Sequence, residues 1–506
     1  MLTLTGHNLT IEDVIAVTYS QQTVAPYPPE VLGHMQASRQ WVEAAVSERR
    51  TVYGVNTGFG SLAKQSIAPE DTRRLSRNLI LQCMVGVGAP LPIPVVRAMM
   101  VIRANVFARG HSGIRPAFGQ LLIEMLNRGV TPYIPSKGSL GASGDLAPLA
   151  HLSVVLTRDE DPERDESGQA YFNGELLSGV EAMRRAGLER IVPEAKEGLS
   201  LTNGTTFMVA AGALAVHQAK NLIEQAETAA ALSIEALCGL SEAYEAALHE
   251  ANNQPGQAET ARRLRALLKN SRLVDSDPTR VQDAYSLRCT PQVIGPARDA
   301  VQFLRERFTA ALNASSDNPL IFVDGENPYK VSGGNFHGQG PSMWLNFLSI
   351  ALAAVGNISE RRTFRLVTPE LSNGLPPMLV KHSGLESGLM MPQYTAAALV
   401  SDNKTLAHPD SVDSIPSSAN QEDHVSMGAN AARHTLEILE NVRHILAVEM
   451  LTAAQAIDLR PNGPARLGEG TRTAYEKIRA HVKFMEHDKE LASEIEKIAH
   501  LIEKSF

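Results

Sequence analysis

The chain has 506 residues, 43% hydrophobic and 20% charged, a composition that excludes general disorder and is ample for a large core. Its 47 Lys and Arg against 55 Asp and Glu leave a formal charge of −8, which argues against a protein built to neutralise nucleic-acid phosphates. Three widely spaced cysteines, Cys83, Cys238 and Cys289, suit neither a disulfide framework nor a metal knuckle, and the low aromatic share of 5% favours helix packing over sheet sandwiches.

The N-terminus lacks a basic leader, and no stretch reaches the roughly 18 apolar residues of a membrane span, so a cytoplasmic protein is expected. A strand-like LTLT at residues 2–5 precedes Thr10-Ile-Glu-Asp13, a helix-start signal. Residues 51–62, TVYGVNTGFGSL, carry three glycines and an Asn-Thr pair, which predicts a loop within helical territory. Helices follow over residues 71–128, interrupted at 86–94 and 110–116, before a glycine-rich stretch at 135–148. The charged string DEDPERDESG at 159–168 reads as a surface loop or small hairpin without chemistry. Beyond residue 199 long amphipathic runs at 207–238, 344–362 and 427–457 predict a helix bundle with faces buried in an oligomer. The change of character suggests two domains, 1–195 and 196–506, in a mainly α fold.

Metalloprotease, P-loop and dinucleotide motifs are absent, and the fifteen histidines show no ligand spacing, so no metal is expected. The segment GSLGASGDLAPLAH, residues 138–151, stands out. Locally it reads as a helix start, with Ser143 or Asp145 as cap and Pro148 in the first turn. A cap needs neither three glycines in seven residues nor the small residues beside them. That density is what close approach of backbone to itself or to a ligand demands.

Together with VYGVNTGFG (52–60), EGLSLTNGT (197–205), QDAYSLRCTPQVIG (282–295), SGGNFHGQ (332–339) and SANQEDHVSM (418–427), this segment makes nearly the whole chain resemble the histidine and phenylalanine ammonia-lyase family. The resemblance implies a long-helix bundle of the aspartase/fumarase-like type around a tetrameric core, with active sites shared between chains. It further implies that Ala142, Ser143 and Gly144 cyclise autocatalytically into a 4-methylidene-imidazol-5-one, an electrophile that no standard side chain supplies, so that no external cofactor is needed. The implied reaction eliminates ammonia from an aromatic α-amino acid to give an α,β-unsaturated acid. Tyr53 is then the β-proton base, which as phenolate would need a pKa well below the usual value of about 10. Arg288 is the carboxylate clamp, since its planar fork matches a carboxylate. Asn203, Gln282 and Tyr285 become polar contacts to ring and substrate, and Phe336 an apolar wall.

Within the resemblance, Glu422 and Met390 match the positions that face an imidazole in histidine enzymes, and a carboxylate there can accept an imidazole N–H bond. Gln82-Cys83 matches none of the usual selectivity pairs, Ser-His for histidine, His-Leu for tyrosine and Phe-Leu for phenylalanine. Cys83 leaves room for a benzene ring, while Gln82 could bond a ring nitrogen or a phenol. The expected reaction is L-histidine to urocanate. Phenylalanine or tyrosine ammonia-lyase, an aromatic 2,3-aminomutase and an inactive helical scaffold are the alternatives. Trp344 and Asn346 depart from the family pattern in the helix after Phe336.

Overall fold

A computed structural model describes residues 1–504, and 59% of the chain is helical, in agreement with the mainly α expectation. The first helix, Ile11–Tyr19, starts as its signal predicts: Thr10 Oγ1 accepts from the Asp13 N–H and the Asp13 carboxylate from the Thr10 N–H. Helices Thr72–Gln82, Ile93–Ala108 and Pro116–Arg128 are separated at the glycine- and proline-rich breaks. LTLT is no regular strand; Leu2 makes an isolated parallel bridge to Val24, its N–H donating to the Thr23 carbonyl at 2.8 Å and its carbonyl accepting from the Ala25 N–H at 2.7 Å. The acidic string forms a short turn, Pro162–Arg164, ahead of the hairpin of Gln169–Phe172 and Glu175–Ser178.

The compact units are discontinuous and differ from the two consecutive segments expected above. One comprises Met1–Leu214, Arg305–Asn346 and Pro409–Arg433, the other Ala215–Leu304, Phe347–His408 and His434–Phe506. Four of their five boundaries fall within long helices, Thr206–Ala236, Thr290–Leu312, Gln339–Val367 and Gly428–Leu459, and the fifth, at His408/Pro409, follows helix Met390–Leu406; none lies near residue 195, where the sequence changes character.

In the first unit, helix Ile93–Ala108 is the spine: it is buried on every face from Val95 to Ala108, as its apolar composition demands. Among the described residues of this unit, three small antiparallel sheets tie loops together, one of them Leu320–Phe322 with Tyr329–Val331. Trp344 packs edge-on against Phe308, ring centroids 5.5 Å apart, and Asn346 accepts from the Ser411 N–H at 2.9 Å. Both departures from the family pattern therefore serve packing in this unit.

In the second unit a buried Glu449 carboxylate accepts from Ser233, Ser359 and two nitrogens of Arg362 at 2.5–2.9 Å. Helix Gln339–Val367 is, by length and composition only, apolar enough to cross a membrane, although polar residues interrupt it. More than half of its apolar window is buried inside the protein, as in the core helix of a bundle.

Candidate active site

The loop at residues 51–62 is held by the side chains of its Asn-Thr pair. Asn56 Oδ1 accepts from the Val52 N–H at 2.8 Å and Thr57 Oγ1 from the Gly54 N–H at 3.2 Å. With both buried, the turn between them presents half-buried Tyr53 to a cleft of about 430 Å³. The Gly60 N–H points at the Tyr53 hydroxyl oxygen at 3.5 Å.

Across the cleft lie Ala142 and Ser143. Asp145 stands at the N-cap position of helix Leu146–Leu156, one of the two caps the sequence offers, but its side chain makes no cap bond there. Asp145 is buried and accepts instead from the Phe207 and Met208 N–H groups, 2.8 and 3.1 Å, at the start of helix Thr206–Ala236. Burial pushes its carboxyl up to about 7 against the pull of those two N–H bonds and of Arg103.

The Ala142-Ser143-Gly144 turn is folded tightly on itself. Ser143 has φ +54°, and the Gly144 N–H bonds the Gly141 carbonyl at 3.2 Å. Gly144 has φ +81°, and a Cβ there would stand 2.2 Å from the Gly204 carbonyl oxygen, so only glycine fits. Asn203 Nδ2 donates to the Ser143 carbonyl at 2.8 Å, and among the described residues its buried Oδ1 has no partner.

Glu422 joins the same cleft. Its carboxylate accepts from Ser143 Oγ at 3.1 Å and from Ser417 Oγ at 2.8 Å. Cys83 ends helix Thr72–Gln82, and burial, then the Glu422 charge, push its thiol up to about 11. Gln82 beside it is exposed. Phe336, His337 and His424 complete the wall, with the two imidazoles stacked 5.6 Å apart. His337, His424, Asn318 and Ser417 were not singled out from the sequence. The two histidines stand inside quoted motifs, whereas nothing local to Ser417 announces its bond to Glu422.

The remaining candidates belong to the second unit. With its amide oxygen turned toward Arg288, Gln282 accepts from both guanidinium nitrogens at 2.6 and 3.1 Å. The same guanidinium lies over the Tyr285 ring, 4.6 Å from its centroid. Met390 opens helix Met390–Leu406 and is half-buried.

Residues 9–480 match the family model described as aromatic amino acid lyase. The chain belongs to the aromatic amino acid lyase family. This lyase is 48% identical to a histidine ammonia-lyase of Streptococcus pyogenes, over 99% of its own length and 96% of the relative's. Among solved structures it is similar to histidine ammonia-lyase from Trypanosoma cruzi, with 39% identity and a TM-score of 0.89 over 99% and 93% of the two chains. It is also similar to tyrosine aminomutase from Streptomyces globisporus, with 35% identity and a TM-score of 0.91 over 99% and 97%. Membership makes the chain a carbon–nitrogen lyase acting on a small amino acid.

Proposed function

We propose that this lyase is a histidine ammonia-lyase that converts L-histidine to urocanate and ammonia. The observation that carries this reading is the Glu422 carboxylate 3.1 Å from Ser143 Oγ, in a chain so close to a histidine enzyme. A carboxylate there can accept an imidazole N–H, whereas a benzene ring would offer it no hydrogen bond and would desolvate it.

In this reading Ala142, Ser143 and Gly144 form the methylidene-imidazolone, and no external cofactor is used. Their geometry suits it: a left-handed Ser143, a position 144 that admits no side chain, and an Asn203 amide on the Ser143 carbonyl. The group supplies an electrophilic alkene that activates the amino group for departure. Tyr53 receives the β-proton at its phenolic oxygen, toward which the Gly60 N–H donates. Arg288 binds the substrate carboxylate, its fork oriented by Gln282 and by the Tyr285 face. Asn203 contacts the substrate through its unpartnered oxygen, and Phe336 flanks the ring.

The enzyme acts as a cytoplasmic homotetramer whose sites draw residues from several chains. Supporting this, Tyr285 is 70% exposed in the isolated chain, and Met343, Phe347, Ile350, Met391 and Tyr394 leave apolar side chains uncovered on long helices.

One observation favours a second reading. Cys83 is a half-buried thiol at the end of helix Thr72–Gln82, and a small apolar side chain at this position leaves space for a benzene ring. A panel of L-histidine, L-tyrosine and L-phenylalanine, followed by ultraviolet absorbance of the conjugated acid, separates the two. Histidine is expected to turn over fastest; turnover of phenylalanine without histidine would reverse the assignment.

A further inference from the structure

Arg103 has no part in the chemistry above, yet it is fully buried on the spine helix of the first unit. Burial lowers its pKa to about 10, so it is a cation at neutral pH. Its Nη2 donates to the carbonyls of Ser200 and Asn203, the latter at 2.8 Å, and Nη1 lies 3.4 Å from Thr206 Oγ1. Those two carbonyls terminate helix Glu197–Thr202, where the last carbonyls lack intrahelical donors and the helix dipole is negative. Asp145 is its counterpart. It receives the first N–H groups of helix Thr206–Ala236, at the positive end of that dipole.

A buried cation at the end of one helix and a buried carboxylate at the start of the next thus grip the turn between them, residues 203–205. That turn is the surface on which the electrophile loop is folded. Asn203 Nδ2 and the Gly204 N–H both reach the Ser143 carbonyl, at 2.8 and 3.4 Å, and the Asp145 N–H reaches the Gly204 carbonyl at 2.7 Å. A Cβ on Gly204 would come within 3.0 Å of Arg103 Nη1, so the guanidinium is seated directly against the turn.

We propose that Arg103 is a positioning residue for formation of the electrophile: it fixes the 203–205 turn so that the Gly144 nitrogen is held toward the Ala142 carbonyl. This rests on the reading that Ala142, Ser143 and Gly144 cyclise. In that step the Gly144 nitrogen bonds to the Ala142 carbonyl carbon. The Ala142 oxygen leaves as water with the hydrogens of the Gly144 and Ser143 amides, and the Ser143 hydroxyl leaves as a second water with the Ser143 α-hydrogen. No oxidant or reductant is involved. Amide nitrogen is a poor nucleophile, so the step depends on enforced proximity, and a misplacement of about 1 Å can cost on the order of 100-fold.

The test is the intact mass of freshly purified wild type and Arg103→Lys, together with circular dichroism and thermal melting. Wild type should lack two waters. Arg103→Lys keeps the charge but loses the fork. It should fold with wild-type helix content, mature on the order of 100-fold more slowly, and remain largely at the full sequence mass. Activity divided by the mature fraction should stay near wild type, which a residue acting in turnover would not give. A fully mature Arg103→Lys with an unchanged time course would overturn the proposal, whereas full mass in the wild type would overturn the cyclisation reading beneath it. Should Arg103→Lys not fold, Arg103→Gln is read in the same way. Failure of both to fold would assign Arg103 to stability alone and overturn the proposal.

Discussion

Ser143 and Glu422 share a hydrogen bond although 279 residues separate them, and each carries a prediction of its own. Replacing Ser143 by Ala removes the hydroxyl whose loss creates the alkene. The variant should keep its full sequence mass and lose nearly all turnover, as mass spectrometry and an absorbance assay would report. Replacing Glu422 by Gln keeps the shape and removes the charge that strengthens a bond to an imidazole. A charge-assisted hydrogen bond contributes about 1.5–3 kcal/mol, so kcat/KM for histidine should fall by about one to two orders of magnitude. The same change should leave any activity on phenylalanine within a few-fold. Equal losses on both substrates would show that Glu422 does not read the ring.

Element by element, the helical segments, the glycine-rich breaks and the loop of Tyr53 were legible in the sequence, because apolar period, capping residues and glycine density are local signals. Asp145 was not. Next to helix Leu146–Leu156 it reads as that helix's cap, but it serves helix Thr206–Ala236, some sixty residues on, and only tertiary packing decides which N–H groups a buried carboxylate meets. Ser417 is a parallel case, one of many serines until the fold turns it toward Glu422. The compact units escaped for another reason: four of their five boundaries lie inside continuous helices, where no linker composition marks them.

Two elements of the second unit give further tests. Asp488 accepts from the Ser387 and Gly388 N–H groups, 2.8 and 2.9 Å, and His487 pairs with Glu386 at 2.7 Å, so residues 486–488 strap down the loop that leads to Met390. Glu386 holds the His487 pKa above its usual 6.5, with Glu486 reinforcing and Lys381 opposing. A raised histidine pKa stabilises the strap fully below pH 6.5, and that contribution is lost as pH rises through the folded value. Hydrogen exchange across residues 381–389 should therefore speed up above pH 6.5 relative to the global rate. In His487→Gln that extra pH dependence should vanish. In the core of the unit, Glu449→Ala strands the buried Arg362 guanidinium and should cost about 3–5 kcal/mol in denaturant unfolding.

At the scale of the whole molecule, the second unit carries a 910 Å³ groove where Ile350, Ala353, Ala354, Ala397 and Val400 stand beside the charged Glu360, Arg361 and Lys404, a mixture of apolar and polar groups that suits the subunit contact of the proposed tetramer. Light scattering should give four times the chain mass. Ala353→Glu would put a charge into that wall, so it should yield smaller species and lose activity even though the residue lies outside the chemistry. A tetramer that survives this change with full activity would place the subunit contact elsewhere.

The most direct test of the lyase as a whole is the product balance with L-histidine. Purified chain incubated without added metal or cofactor should release one equivalent of ammonia per urocanate, followed by proton NMR alongside an ammonia assay. Histidine consumed without free ammonia, with a β-amino acid in place of the unsaturated acid, would contradict the elimination and point to an aminomutase.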